Sequence, residues 1–533
     1  MVNRSQQKQA CSYQEWLVTH EPNLFLENGK ATEQIASFSY QPLLSILLPT
    51  FNTDARFLER CIRSVREQCY PNWQLCVVDD CSSDERVVKY VESLAAIDSR
   101  VHLRVSAKNK GISAASNLAL EIATGDFVIL LDHDDELHRF ALFEVVAALN
   151  DHPDLDLIYS DEDKIDPDGH RVCPAFKPDF DMDVFLSFDY LGHMIALRRS
   201  VAEAVGGFRS SCNGAQDWDL LVRVLEGVAP SRVHHISKPL YHWRMHADST
   251  ALDLHSKPYV RRAWGKVLTD HLERTALLGT IEAGLFFGSM RVKRHVAPGI
   301  RIAVFLRTED GAYQMAALAP NVESDRTNFY ELLGSSITTT SPQGGVRWIW
   351  SLDEISEDVL VFINRPLETV NQLFFEELAA QAMREDCGLV TGISVDNGRT
   401  IHTGLIVGPQ RELMDPFVGL PFPHEGYMGQ LSVVREVETI SDEFFALRRE
   451  HLSEVGGLGC VSATFMPRLV EQLTSRAHGR GLRVLVTPYA VATFEGVRPS
   501  PPKQLIESEH SQIRLNPNLA QFAHQREVLS GNI

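Results

Sequence analysis

No two of the nine cysteines in this 533-residue chain form a CxxC pair. That absence argues against a thiolate zinc ribbon. Cys61, Cys69, Cys76 and Cys81 sit among apolar and helical neighbours without metal-ligand spacing. They read as reduced core thiols of a cytosolic protein. Long apolar runs are missing too. The longest, such as Leu43–Leu48 and Phe127–Leu131, are strand-sized, far below the roughly 20 residues a bilayer span needs. The N-terminal MVNRSQQKQACSYQEWLV lacks the apolar centre of a signal peptide, so no segment is expected to cross a membrane. Positive charge is scarce, with 51 Lys+Arg against 70 Asp+Glu and a net charge of −19. A dedicated nucleic-acid binder is thereby excluded, and an anionic ligand requires a metal ion or a local cluster of cations.

What is present is ordinary globular material, 44% hydrophobic and 23% charged, which excludes a disordered chain. The length suits about three domains, or two larger ones with an extension. Residues 1–40 are polar and mixed, with a helix expected around Tyr13–Leu17. A regular alternation then begins. Leu43–Pro49, Gln74–Asp80, Val101–Val105 and Asp126–Asp132 read as apolar strands, separated by helical periodicity in Asp54–Gln68, around Val87–Leu94 and in Ser113–Ala123. Continuous apolar strands alternating with amphipathic helices predict an α/β, Rossmann-like parallel sheet covered on both faces. Ligands of such sheets bind beyond the carboxyl ends of the strands. The basic segment Met290–Gly299, closing on Pro298 and Gly299, marks a domain boundary before a new strand, Arg301–Arg307. The expected organisation is an extension over 1–40, a first domain over 41–290, a second over 300–500 and a tail over 501–533.

The second half repeats the first. ALRR at Ala196–Arg199 precedes VGGF at Val205–Phe208, and ALRR at Ala446–Arg449 precedes VGGL at Val455–Leu458, with nine residues from Ala to Val in both. Duplication explains two four-residue words recurring at one offset. DFVILLDHDD aligns with DVLVFINRP, so Asp132, His133, Asp134 and Asp135 become Asn364, Arg365, Pro366 and Leu367. Ten residues past the second Gly of each VGG stands Asp217 in the first copy and Pro467 in the second. The second copy keeps the scaffold and loses the acids.

Chemistry therefore concentrates in the first copy. Asp79–Asp80 end one strand, LLDHDDEL ends another, Asp217 opens the helix of GAQDWDLLVRV, and LYHWRMHADST brings His242, Arg244 and His246 together. Taken singly, Asp79 and Asp80 are equally well explained as helix caps and Asp217 is better explained as one, while the histidines read first as packed or solvated imidazoles. Asp132, Asp134 and Asp135 differ. Three acids crowded at the end of a buried strand repel one another, and a divalent cation relieves that repulsion. His402, Glu425 and Glu443 of the second copy show no spacing that supports another site.

The words SILLPTFN, VVDDCSSDE, LLDHDDEL, IYSDEDKID, AFKPDFD, GAQDWDLLVRV and LYHWRMHADSTA, in this order, resemble the family 2 glycosyltransferases of the GT-A fold. The resemblance is nearest to bacterial enzymes that build O-antigen and capsule. It covers residues 40–290 strongly and 300–500 weakly, the latter as a truncated GT-A-like copy. It implies an inverting, metal-assisted transfer of a sugar from a nucleotide-diphosphate donor to a hydroxyl of a growing glycan. Pro49, Thr50 and Asn52 would shape the base pocket, Asp80 would accept from the base, and Asn109 and Gly111 would flank the ribose. Asp132 would face the ribose, Asp134 and His246 would hold Mn²⁺ or Mg²⁺ with Asp135 nearby, Arg244 would lie beside the leaving phosphates, and Asp217 would be the general base. Ser116 departs from the family, many members of which carry Arg there. The implied acceptor is a glycan or polyprenyl-diphosphate-linked sugar at the inner face of the cytoplasmic membrane. Peripheral contact through Arg291, Lys293, Arg294, His295 and Arg301 is one reading of that stretch, a solvated linker the other. Two alternatives stand beside this reading. A nucleotidyltransferase would want a glycine-rich loop that SILLPTFNTDARF lacks, and a non-catalytic sugar-nucleotide or glycan binder would have no need of the acids.

Overall fold

The computed structural model describes residues 13–246, 258–307, 313–318, 356–365, 367–407, 412–453, 466–494 and 516–518. Pro366, the second VGG word, the last four residues of LYHWRMHADST and nearly all of the 501–533 tail lie outside them. The chain divides into two compact units: Met1–Thr275 with Asn516–Gln525 and Asn532–Ile533, and Ala276–Leu515 with Arg526–Gly531. The division thus falls ahead of the Met290–Gly299 segment, and a short C-terminal stretch returns to the first unit.

The first unit is built on β1 (Leu44–Thr50), β2 (Trp73–Asp79), β3 (Val101–Val105), β4 (Phe127–Leu130), β5 (Glu136–Leu137), β6 (Leu157–Ile165), β7 (Arg171–Ala175), β8 (Ile195–Arg198) and β9 (Val233–Arg244). Helices α1 (Ala55–Arg66), α2 (Glu85–Ala95) and α3 (Ile112–Ile122) connect the first four strands, and α4 (Gln216–Leu225) follows β8. Asp54 and Asp84 start α1 and α2 by accepting the N–H groups of Arg56 and Arg86. α1 turns Leu58, Cys61, Ile62 and Val65 into a core shared with Leu44, Ile46 and Leu48 of β1. Burying each such side chain contributes roughly 1.5–3 kcal/mol.

The sheet order is β3-β2-β1-β4-β8-β6-β9-β5, with β7 paired to β6. The predicted parallel pairing holds from β3 to β4. Beyond that the sheet is mixed, because β8 enters between β4 and β6 antiparallel to both. Continuous apolar strands report burial on both faces, not direction. Cys81 corrects another expectation: it is exposed, outside the core, in a left-handed backbone conformation at φ 66°.

The second unit starts with a separate hairpin, β10 (Gly279–Ala283) and β11 (Met290–Arg294). Its main sheet contains β12 (Ile302–Arg307), β13 (Tyr313–Leu318), β14 (Val359–Ile363), β15 (Leu367–Val370), β16 (Cys387–Asp396) and β17 (Arg399–His402). The short β18 (Ile406–Val407), β19 (Leu413–Met414) and β20 (Arg435–Glu436) lead to β21 (Phe444–Arg448) and β22 (Arg483–Phe494). The order β12-β14-β21-β16-β22-β15 reproduces β1-β4-β8-β6-β9-β5, and β17 pairs β16 as β7 pairs β6. Directions agree at every step. Ile129 pairs with Ala196 and Val361 with Ala446, so the two ALRR words hold the same sheet position. Arg198 donates to the carbonyls of Pro153 and Leu155, and Arg448 to those of Ala382 and Met383. The copies part at the edge, where β13 runs antiparallel to β12 but β2 runs parallel to β1.

Candidate functional site

The carboxyl ends of β1 and β4 and the start of α4 enclose a solvent-open cleft of about 440 Å³, lined by Pro49, Ser116, Asp132, His193, Gln216 and Asp217 among others. Asp132 lies where β4 gives way to the acidic turn, with its Oδ2 3.9 Å from His193 Nε2. Withdrawal from bulk water pushes its carboxyl up, His193 opposes that rise, and the charge of Asp134 adds to it. Asp217 occupies the first turn of α4, where the helix dipole favours an anion, and accepts the Trp218 N–H at 2.8 Å. The helix-start position and the cleft position therefore coexist in one side chain, although the N-cap is Ala215 and no side chain caps the helix.

The acidic turn is tied to the end of β9. Asp134 Oδ2 lies 2.6 Å from His246 Nε2, and the Phe57 ring packs 5.3 Å from that imidazole. Asp135 is fully buried and accepts from the Tyr241 hydroxyl at 2.6 Å and the Arg244 N–H at 2.7 Å. Burial and the charges of Asp134 and Asp132 hold Asp135 well above the usual carboxylate range. The buried Arg244 donates through Nε to the Asp134 carbonyl at 2.8 Å, pairs with Glu136 and stands over the Phe57 ring. The guanidinium expected beside departing phosphates is thus engaged as a brace for the acidic turn.

This donor set suits a hard or borderline divalent ion. One ligand atom from each of Asp132, Asp135 and His193 falls within 4.8 Å of the others. Beside them, His133 Nδ1 is shut away from water without a hydrogen-bond partner, 3.7 Å from Asp134 Oδ1. Carboxylates and imidazoles left crowded and incompletely paired are what a cation would satisfy.

On the other side of β1, just past the carboxyl end of β2, Asp80 is buried and accepts the backbone N–H groups of Lys110 (2.9 Å) and Gly111 (2.7 Å). It thereby fixes the loop entering α3, in which Asn109 is exposed. Gly111 has φ 88°, and a Cβ there would meet Asn213 Nδ2 at 2.9 Å, so a side chain would be strained. Thr50 is buried and donates to Asp79 Oδ1 at 3.3 Å. Asn52, at φ 49°, exchanges hydrogen bonds with Ser82 and Ser83 across the strand ends.

Sequence reasoning missed the segment from Asp189 to His193. Asp189 is pushed up to about 7 by burial and by the negative charge of Asp217, while the Gly192 N–H donates to it. His193 stacks on Tyr241 at 4.5 Å, and its N–H donates to Glu162 at 2.8 Å. The almost fully buried Lys177 joins Glu162 at 3.0 Å, the Leu191 carbonyl at 2.6 Å and the His193 carbonyl. The only sequence signals were IYSDEDKID and AFKPDFD, which contain Glu162 and Lys177 but not the segment they hold. In the second unit, Asn364 and Arg365 follow β14 as Asp132 and His133 follow β4. There His402 Nε2 and Glu443 Oε1 meet at 3.0 Å, a pairing their spacing did not suggest. Glu425 is not part of that ion pair.

Residues 45–206 match Glycosyl transferase family 2. Uncharacterized protein y4gI of Sinorhizobium fredii is 31% identical over 458 residues, covering 81% of this chain and 50% of its own. O-antigen biosynthesis protein RfbC of Myxococcus xanthus is 28% identical over 508 residues, covering 90% of this chain and 39% of its own. The chain thus spans half or less of the length of these relatives. The crystal structure of S. aureus TarS 1–349 in complex with UDP-GlcNAc aligns over 43% of this chain and 72% of that one, with 18% identity and a TM-score of 0.36.

Proposed function

Residues 45–206 form a glycosyl transferase family 2 domain, and from that premise we propose that the first unit transfers a sugar from a nucleotide-diphosphate donor to a hydroxyl of a growing surface glycan. The observation that carries this reading is the convergence of Asp132, His193 and Asp217 on one cleft beside the Asp134–His246 pair. Pro49, Thr50, Asn52 and Asp80 shape the base end of the donor site, with Asn109 and Gly111 beside the ribose and Asp132 directed toward it. Asp134 and His246 would hold a divalent cation, Mn²⁺ or Mg²⁺, which as a Lewis acid neutralises charge developing on the leaving diphosphate. Arg244 keeps the acidic turn in position.

Asp217 accepts the proton of the attacking hydroxyl. The new C–O bond forms as the bond from the anomeric carbon to the diphosphate breaks, and attack from the opposite face inverts the anomeric centre. The acceptor we infer is a polyprenyl-diphosphate-linked glycan presented at the cytoplasmic membrane face. No helix among the described residues is long and apolar enough to cross a membrane. The second unit, with Asn364 and Arg365 in place of acids, supports or positions rather than transfers.

Incubation of the purified chain with UDP-, GDP- and dTDP-sugars, with Mn²⁺ or Mg²⁺ and no acceptor, tests the reading by mass spectrometry. Slow metal-dependent hydrolysis of a preferred donor is expected. No turnover and no binding of any donor would contradict it.

A further inference from the structure

Large exposed apolar side chains are few among the described residues, and three of them belong to one hairpin: Leu278 (66% exposed), Leu285 (56%) and Phe287 (55%). Leu278 directly precedes β10, and the other two stand in the turn between β10 and β11. The turn is closed by Gly284 N–H to the Ser289 carbonyl at 3.0 Å and by Ser289 Oγ to the Phe286 carbonyl at 2.8 Å. Its side chains alternate. Phe286 turns onto its own unit so closely that a Cβ on Gly429 would lie 2.5 Å from the ring, while Leu285 and Phe287 on either side face water. The base is rigid: Arg291 pairs with Glu377 at 2.6 Å and lies 3.6 Å over the Tyr489 ring.

Charge around the hairpin runs against the rest of the molecule. Within Ala276–Arg301 the sequence carries Arg291, Lys293, Arg294 and Arg301 against one acid, Glu282, in a chain of net charge −19, although Glu282 pairs with Lys293 and Glu377 with Arg291. His295 and Arg301 are exposed. Partly exposed side chains of this size offer on the order of 300–400 Å², well below the roughly 800 Å² per partner of a stable protein interface. A bilayer interface asks for less: a few apolar side chains supplemented by cations attracted to anionic headgroups.

We propose that the β10–β11 hairpin is a membrane-docking element, with Leu285 and Phe287 entering the interface of an anionic bilayer and Lys293, His295 and Arg301 meeting its headgroups. The inference takes from the proposed function only the lipid-borne acceptor.

Flotation of the full chain with vesicles tests it without any activity measurement, so failure of the glycosyltransferase reading leaves the result interpretable. Binding to phosphatidylcholine vesicles containing phosphatidylglycerol is expected, with loss in phosphatidylcholine alone and weakening in high salt. The Leu285→Ser/Phe287→Ser double variant should bind about tenfold more weakly or worse, with donor hydrolysis unchanged. Leu285→Trp keeps the tip apolar and should shift its emission to the blue with anionic vesicles. Failure of the unaltered chain to float, equal flotation of the double variant, or unchanged Trp emission would overturn the proposal. So would light scattering showing a dimer that the double variant dissolves, which would assign the hairpin to a second copy of the chain.

Discussion

Asp134 and His246 stand 112 residues apart in the chain, yet Oδ2 and Nε2 meet at 2.6 Å. The sheet brings this about. Asp134 leaves the end of β4 and His246 leaves β9, whose exit is fixed by Arg244 N–H to Asp135 and by Met245 N–H to the Ile165 carbonyl at 2.8 Å. If this pair holds a cation, Asp134→Ala removes the gain in nucleotide affinity that Mn²⁺ confers. Calorimetric titration of UDP and GDP with and without Mn²⁺ checks this. A variant that keeps the full metal-dependent gain would refute the assignment.

Lys177 is 1% exposed and carries the loop that presents His193. Lys177→Met strands Glu162 as an unpaired, mostly buried charge, and the expected loss is about 3–5 kcal/mol. Adding Glu162→Gln should restore much of it, because the stranded charge is then gone. Urea unfolding of the single and double variants reads both numbers. Additive losses would show that the two residues act independently.

Asp189 has a folded-state pKa of about 7, against 3.8 for an ordinary Asp. A carboxyl raised on folding contributes its stability fully below the unfolded value and loses it as pH rises through 7. The melting temperature of the unaltered chain should therefore fall between pH 4 and 7 relative to Asp189→Asn, which cannot ionise. Scanning calorimetry across that range checks the sign. Parallel curves would mean that Asp189 is not held neutral by its surroundings.

Much of this arrangement was legible in the sequence, for reasons that can be named. Apolar runs such as Leu43–Pro49 located the strands to within a residue or so, and the repeated ALRR word marked equivalent sheet positions, Ile129–Ala196 and Val361–Ala446. Direction was not legible. β8 runs antiparallel between β4 and β6, and nothing in IALR encodes its sense, since a strand buried on both faces is equally apolar either way. The Asp132–Asp135 cluster announced itself because acids at the end of a buried strand are costly. Asp189 and His193 did not, because their significance comes from tertiary neighbours: Asp217 for one, Glu162 and Tyr241 for the other. Arg244 illustrates the converse. Its position beside the acidic turn was expected, but only coordinates show its donors turned to Glu136 and the Asp134 carbonyl.

The most direct test of the account is Asp217→Asn, read for turnover and donor binding in one preparation. Asn keeps the shape and the hydrogen bond to Trp218 but cannot take a proton. Transfer should fall by about 10²–10⁴-fold, the usual worth of a general base, while the donor Kd stays within about twofold. Retained turnover, or a clear loss of donor affinity, would contradict the role given to Asp217 and with it the proposed mechanism.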